Sequence, residues 1–249
     1  PENGLLTISI KDNNLPANGS TNLVNNTIVA TRVILPVSKA RSIPLRFGLR
    51  HRAAVGITEK TARFFMHKVR EAMESSGNNS MGGIVHVDEF VLGGKEEKKT
   101  GRSYDAKKKK AITAVQLTED GKVKRMYAMK IDDFSAQSLQ YIFINHINRD
   151  AKITTDKWRG YRPIAKAYDI TQIESNKGLN FKALHTMIHQ VKSWIRTTYS
   201  WVSDANLNRY FNEFCFRINR SQSKDTIFNN LITKMVDKNQ IYQSKLMSS

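Results

Sequence analysis

One stretch of sequence decides the predicted fold of this chain: Ile84-Val85-His86-Val87-Asp88-Glu89-Phe90-Val91-Leu92-Gly93-Gly94. Its apolar and β-branched residues predict a β-strand over 84–92, and the glycine pair ends it. Asp88 interrupts this strand between the apolar residues Val87 and Phe90. An acid inside an apolar strand is costly unless it is paired or binds a metal ion. The stretch therefore predicts a buried strand that carries a functional carboxylate.

The segments that follow alternate between strand and helix patterns. Asp120-Gly121 is the preferred dipeptide of a tight hairpin turn, so it predicts paired strands at 111–117 and 123–131. Ser135 is predicted to cap a helix that runs to Asn148. The later predicted elements are a strand at 153–156, a short helix at 161–167, a strand at 170–174, a helix at 181–197 and a helix at 203–219.

This element order predicts an α/β fold with a mixed five-stranded sheet flanked by helices. Hairpins make the first three strands antiparallel, and helical crossovers make the last two parallel. That is the element order of the RNase H-like fold. In this topology the strands of Asp88 and Asp156 are neighbours, so their carboxylates are expected to converge.

Two converging carboxylates predict a site for Mg²⁺ or Mn²⁺, with two ions serving phosphoryl transfer. For either aspartate alone, an ordinary strand-end or turn carboxylate is the alternative. Strand alternation points Glu89 to the opposite face from Asp88, so Glu89 is interpreted as a surface residue.

The helix at 181–197 offers no third carboxylate. Its polar stripe instead holds four side chains at spacings of four, three and four residues, which places them on one face: His185, His189, Lys192 and Arg196. A neutral imidazole can bind a divalent metal, and the two cations can hold a DNA phosphate. A solvated basic face with incidental histidines is the alternative, and Glu174 is a fallback third acid.

The charge balance predicts a polyanionic partner. There are 40 Lys and Arg residues against 22 Asp and Glu, a net charge of +18. Nucleic acid is favoured over a ribosome-associated or membrane-surface role. No apolar run reaches about 18 residues, so no membrane span is expected. The single Cys215 rules out an intrachain disulfide and fits a reducing compartment.

The chain is predicted to divide into an irregular region (1–45), a small helical region (46–76), a catalytic domain (81–222) and a helical tail (223–249). In the helical region Thr58 is predicted to cap a helix that runs to Met73, with Arg63, Lys68 and Arg70 exposed. A helix-turn-helix is one interpretation of this region, and a helical hairpin packed on the core is the other.

Four blocks within residues 45–222 resemble IS1595-type (ISXO2-like) insertion-sequence transposases. His86–Gly94 is similar to their first-acid motif, and Thr154–Asp156 with Gly160-Tyr161 is similar to the second. Tyr199–Ser203 and Asn208–Asn219 resemble their C-terminal signature. The four blocks occur in the family's order.

The resemblance implies a DDE-type transposase that cleaves DNA at transposon ends and joins them to target DNA, with Asp88 and Asp156 as catalytic acids. The third position departs from the acidic pattern. It is similar to a DDH variant in which a histidine is followed by a lysine. His185 leaves six residues before Lys192 and is slightly favoured, whereas His189 leaves two. The choice between them stays open.

The implied partner is double-stranded DNA, as transposon ends and target, bound by a homodimer or higher oligomer on the nucleoid in the bacterial cytoplasm. The side chains expected to bind DNA are Arg63, Lys68, Lys107, Lys108, Lys109, Lys110, Lys192, Arg196 and Arg217. Family members usually carry a cysteine-rich zinc ribbon at the N-terminus, but this chain has no cysteine before Cys215. The missing ribbon and the missing third carboxylate favour the alternative of a catalytically decayed or domesticated DNA-binding protein. An RNase H-like nuclease, which shares the fold and the metals, is a further alternative.

Overall fold

The computed structural model describes residues 58–93, 108–199, 201–223 and 225–239, together with the backbone of two short strands near the N-terminus. The strands, in chain order, are β1 (Thr7–Ser9), β2 (Thr27–Val29), β3 (Ile84–Leu92), β4 (Lys109–Leu117), β5 (Val123–Ile131), β6 (Lys152–Thr155) and β7 (Ile170–Gln172). The α-helices are α1 (Glu59–Ala72), α2 (Ala136–His146), α3 (Lys182–Thr198), α4 (Leu207–Asn219) and α5 (Ile227–Asp237). β1 and β2 pair with each other in antiparallel fashion.

The central sheet has the strand order β5-β4-β3-β6-β7. β3, β4 and β5 pair antiparallel, whereas β6 pairs parallel to β3, and β7 pairs parallel to β6. The predicted mixed sheet of three antiparallel and two parallel strands is confirmed. Its order is that of the RNase H-like fold.

Both faces of this sheet are covered by apolar side chains. On one face Val85 and Val87 pack against Leu139 and Phe143 of α2. On the other, Phe90 packs with residues of α3 and α4, including Leu184 and Phe211. A residue in the middle of β3 is therefore enclosed whichever way its side chain points. Most of the hydrophobic stabilisation of the domain comes from these two layers.

Helix α4 lies along the edge strand β5 and hydrogen-bonds its backbone. The Asn219 side chain accepts from Met126 N at 2.7 Å and donates to Met126 O at 2.9 Å. Asn208 Oδ1 accepts from Lys130 N at 2.7 Å. Unpaired backbone groups on an edge strand invite aggregation, and these amides cover them. The asparagines of the C-terminal signature thus have a structural role.

Three local predictions differ from the structure. The short helix expected at 161–167 is two 3₁₀ turns, Arg159–Tyr161 and Ile164–Lys166, separated by Pro163, which has no backbone N–H for a helical bond. The strand expected to reach residue 174 ends at Gln172, with the last residue of its partner β6. The helix expected from residue 203 starts at Leu207, because Ser203 Oγ accepts from Asn206 N and forms a turn.

Helix α1 begins as predicted, with the Thr58 side chain accepting from Thr61 N. The expected exposure of Arg70 is wrong. This residue is 8% exposed, because it lies between α1 and α4 and bonds Glu213 of α4. Val69 of α1 and Met73, which caps its C-terminal end, pack on Phe216 of α4. The first helix of the helix-turn-helix interpretation falls on residues outside the described part of the chain.

Among the helices of the described residues, none combines the length and the apolar character that crossing a bilayer requires.

Candidate active site

Asp88 and Asp156 come together at neighbouring strand positions. The pairing of β3 with β6 ends at Val87 and Thr155, so each aspartate is the next residue along its strand direction. Asp156 lies just beyond β6, and its Oδ1 accepts from Trp158 N at 2.9 Å. The predicted convergence of the two carboxylates follows from this register.

Glu89 joins these aspartates, and its interpretation as a surface residue is wrong. Glu89 is 7% exposed. One carboxylate oxygen from each of Asp88, Glu89 and Asp156 lies within 4.8 Å of the others. Alternation does turn Glu89 away from Asp88, but the opposite face of the sheet is covered too. The predicted coverage of both faces was the signal that could have revealed this.

Tyr161 contacts the Glu89 carboxylate on the face of the sheet that α2 covers. Its hydroxyl donates to Glu89 Oε2 at 2.6 Å, and the tyrosine is fully buried. Burial raises the pKa of Tyr161 well above its ordinary value, and the negative charges of Glu89, Asp88 and Asp156 raise it further. The phenol therefore remains protonated and is a permanent donor to the carboxylate.

The loop after β6 is fastened at several points around Gly160. Trp158 Nε1 donates to Phe134 O at 3.0 Å, and Gln172 Nε2 donates to Asp156 O at 3.0 Å. A β-carbon on Gly160 would lie 2.6 Å from Trp158 Nε1 and 2.9 Å from Phe134 O. Only glycine fits there without a shift of this loop. The close packing at Gly160 thus fixes the segment that carries both Asp156 and Tyr161, whose hydroxyl donates to Glu89.

His185 of α3 faces Asp88 from the other side of the sheet. Its Nε2 lies 3.4 Å from Asp88 Oδ2. That nitrogen is buried and makes no hydrogen bond within the described residues. Burial lowers the pKa of His185, and the charge of Lys192 lowers it further. The imidazole is consequently neutral near pH 7, with a nitrogen lone pair available to a cation.

The position of the His185 ring is set by a glycine. Gly178 has φ +89°, a conformation that favours glycine, and a β-carbon there would lie 3.0 Å from His185 Nδ1. The 3₁₀ turn Asn176–Phe181 therefore packs its backbone closely against the imidazole.

Of the other predicted residues of α3, one is half-buried and two are exposed. Lys192 is half-buried, with its Nζ 5.4 Å from the centre of the Phe90 ring. Burial lowers the pKa of Lys192, and the nearby Asp88 charge opposes this shift. His189 and Arg196 are exposed. Glu174, the fallback acid, is exposed as well, and its backbone carbonyl accepts from Asn180.

The remaining cations predicted to bind DNA have varied environments. Lys109 Nζ lies 3.6 Å from Asp204 Oδ1, and Lys110 Nζ donates to Asp132 O at 3.0 Å. Arg217 pairs with the buried Glu213 at 2.7 Å, so its guanidinium belongs to the ion-pair network between α1 and α4. The others are Arg63, which is exposed, Lys68 and Lys108, which are half-buried, and Lys107, which lies outside the described residues.

The strand order and the strand-end carboxylates place the chain in the RNase H-like class of α/β proteins. The family model of the ISXO2-like transposase domain matches residues 80–219, which is more than half of the chain. The chain therefore belongs to the ISXO2-like transposase family. A model of the nucleotide-binding region of the DisA bacterial checkpoint controller also matches residues 3–72, less than a third of the chain. No curated protein matches the chain.

Two solved structures are similar at a low level. The pre-cleavage Mos1 transpososome is 10% identical, with a TM-score of 0.29 over 79% of this chain and 75% of that chain. The Mos1 mariner paired end complex with Mn is 10% identical, with a TM-score of 0.28 over 77% of this chain and 75% of that chain. Similarity at this level carries no argument about function.

Proposed function

We propose that this protein is a DNA transposase that cleaves transposon ends and joins them to target DNA at the cluster of Asp88, Glu89 and Asp156. The convergence of these three carboxylates within 4.8 Å, in a chain that carries a net charge of +18, is the observation that carries the proposal. Clustered carboxylates bind the metal ions that phosphoryl transfer requires, and the surrounding positive charge attracts a polyanionic substrate. Membership in the ISXO2-like family supports the same reaction.

The residues present fit a divalent metal. Carboxylate oxygens are the ligands that Mg²⁺ and Mn²⁺ prefer. The buried Nε2 of His185 faces the same cluster and makes no hydrogen bond within the described residues, as expected of a ligand atom. Asp88, Asp156 and His185 would hold the metal, with Glu89 beside them. A pair of such ions, when bound, would supply activation of the attacking hydroxyl and stabilisation of the leaving oxygen.

The protein's own residues hold this site in a fixed geometry. Tyr161 keeps the Glu89 carboxylate in place with a hydrogen bond of 2.6 Å. Trp158 N holds Asp156 Oδ1 at 2.9 Å. Carboxylates fixed in advance do not have to reorganise when a charge develops on the substrate. We propose Glu89 as a third acid of the site on this ground.

Lys192 is the cation best placed for the substrate. It is half-buried beside Phe90, within range of the Asp88 charge. A lysine there would neutralise a DNA phosphate as it approaches the carboxylates. The exposed Arg196 and Arg63 would contact the backbone farther away. Bringing two transposon ends together needs at least a dimer on DNA. We expect the protein to act on DNA of the bacterial nucleoid. Residues 81–222 would form the catalytic domain.

A strand-transfer assay tests the proposal. Purified protein is incubated with labelled DNA that carries the element's ends, together with target DNA. Cleavage and joining are expected with Mg²⁺ or Mn²⁺ and are expected to stop when EDTA removes the metal. Salt-sensitive DNA binding without any metal-dependent product would instead indicate a DNA-binding protein that has lost catalysis. Preferential cutting of an RNA–DNA hybrid would indicate a nuclease.

Replacing His185 by alanine is expected to weaken Mn²⁺ binding about 10- to 100-fold and to lower strand transfer, because one ligand or its orientation is lost. His189→Ala is the matched control. It removes the same side chain four residues along the same helix, but His189 is exposed. Calorimetric titration with Mn²⁺ measures the first effect without any catalysis. Equal Mn²⁺ affinity in the two variants would remove His185 from the site.

A further inference from the structure

A polar cavity of about 520 Å³ lies at the far edge of the sheet from β6 and β7. Its walls come from β5, the end of α2, the segment after α1, one face of α4 and Lys234 of α5. Strand β4 separates β5 from β3. The cavity therefore does not belong to the carboxylate cluster. Its volume lies within the range of sites that hold small ligands or parts of larger ones.

Three cationic side chains line this cavity: Arg125, Arg220 and Lys234. One acidic residue, Glu74, lines it too, and its carboxylate pairs with Lys238 at 2.7 Å. All three cations are half-buried. Arg125 donates to Asn79 O at 2.7 Å, and Lys234 donates to Glu74 O at 2.8 Å. Arg220 lies over the Phe216 ring at 4.0 Å. Within the described ranges, none of the three forms an ion pair with a carboxylate.

These cations act on one another across the cavity. Burial lowers the pKa of Arg220; Tyr127 opposes this shift, and the charge of Arg125 adds to it. Burial also lowers the pKa of Lys234, with further lowering by the charges of Arg220 and Lys238, which Glu74 opposes. Partly buried like charges repel and are costly unless an anion neutralises them. The cavity thus brings three positively charged side chains together in a partly buried site.

Neutral hydrogen-bond donors also line the cavity. Asn145 and Asn212 face the cavity. Their side-chain amides form no hydrogen bond with another described residue. Amide N–H groups beside guanidinium groups are the donors that phosphate oxygens accept. Cations and free amides together therefore select an oxyanion rather than an apolar ligand.

We infer that this cavity binds a phosphate of the DNA backbone, so that the protein contacts DNA at the β5 edge as well as at the carboxylate cluster. The net charge of +18 favours a polyanionic strand over a single small anion. The inference rests on the proposed function only in taking DNA as the partner. It concerns binding, whereas the carboxylates concern chemistry.

The test compares two double variants of the full chain by fluorescence anisotropy on a DNA duplex over a range of salt concentrations. Arg125→Gln with Arg220→Gln removes two charges from the cavity. Lys122→Gln with Lys124→Gln removes two charges from exposed positions of the neighbouring hairpin, neither of which lines the cavity. The cavity variant is expected to lower the slope of log K against log salt by about one to two, and the control by less.

A third variant guards against a folding artefact. Asn212→Asp places a carboxylate among the three cations, so the thermal unfolding temperature is expected to stay level or rise. DNA binding is expected to weaken, because the new charge repels phosphate. Equal slopes for the cavity and control variants, or unchanged binding by Asn212→Asp, would overturn the inference. So would stabilisation by inorganic phosphate combined with unaltered DNA binding, which would point to a small anion.

The two proposals can fail separately. If cavity variants bind DNA as the wild type does while metal-dependent joining is observed, only the cavity assignment is wrong. If the cavity variants lose salt-dependent binding but the wild type shows no metal-dependent product, the cavity stands and the catalytic proposal is wrong.

Discussion

Replacing Asp88 by asparagine is expected to reduce strand transfer at least about 10³-fold, which corresponds to about 4 kcal/mol of transition-state stabilisation. Asparagine has nearly the same shape, so packing in β3 is retained, but it cannot supply an anionic ligand to a metal. The Asp88 side chain is 16% exposed and lies 3.4 Å from His185 Nε2, within the carboxylate cluster. Asp156→Asn is expected to have an effect of the same size.

Asp132→Asn is the matched control for this substitution. Its side chain follows the last residue of β5 and is 90% exposed, and its carboxylate forms an ion pair with Lys130 at 3.7 Å. The control is expected to leave single-turnover joining rates unchanged. DNA binding by Asp88→Asn is expected to equal or exceed that of the wild type, because an acid near the substrate has been neutralised. Wild-type joining rates in the Asp88 and Asp156 variants would refute the site assignment.

Replacing Arg70 by methionine is expected to lower the free energy of unfolding by about 3 to 5 kcal/mol, because the buried carboxylate of Glu213 loses one of its charged partners. Arg70 Nε donates to Glu213 Oε2 at 2.7 Å, and the two side chains are only 9% and 5% exposed. Tyr199 also bonds Glu213, at 3.2 Å. This network fastens α1 to α4, so the loss is expected to loosen α1 first. Urea unfolding followed by circular dichroism measures it.

The acid dependence of this network has a definite sign. Burial acts to raise the pKa of Glu213, but the charges of Arg70 and Arg217 hold it below the ordinary value. A depressed carboxyl pKa stabilises the fold above the ordinary glutamate value of about 4.3 and loses that contribution as the pH falls through the folded-state pKa. The difference between wild type and Arg70→Met is therefore expected to shrink in acid below about pH 4.

Lys238→Met is the control for the Arg70 substitution. Lys238 pairs with Glu74 at 2.7 Å, but these side chains are 34% and 52% exposed. An ion pair in solvent contributes no more than about 1 kcal/mol. The double variant Arg70→Met with Glu213→Leu is expected to recover part of the lost stability, since no buried charge remains. A cost for Arg70→Met as small as that for Lys238→Met would contradict the structural role of the pair.

Short-range signals made much of the fold predictable. The strands 84–92 and 123–131 were predicted with the observed limits because alternation and the Asp120-Gly121 turn act within a few residues. Ser135 and Thr58 both cap their helices, since a cap depends on the next three residues. The neighbouring placement of Asp88 and Asp156 followed from the order of elements. Each of these features is local or is set by chain connectivity.

Long-range packing decided what the sequence left open. His185 and His189 lie four residues apart, so they share a helix face in any sequence-based description. Only the docking of α3 on the sheet brings His185 to Asp88 and leaves His189 exposed. Alternation oriented Glu89 correctly, yet its burial depends on Tyr161, which is distant in the chain. The helix pattern predicted Arg70 on the surface, but the packing of α4 on α1 buries it against Glu213.

The sequence by itself therefore determined the strand that carries Asp88, the order of the sheet and the basic character of the chain. These properties arise from neighbouring residues and from composition. The tertiary structure alone decided that three carboxylates meet, which histidine faces them and where cations gather at the β5 edge. Such contacts join residues that are far apart in the chain, and their burial depends on which elements cover each face of the sheet.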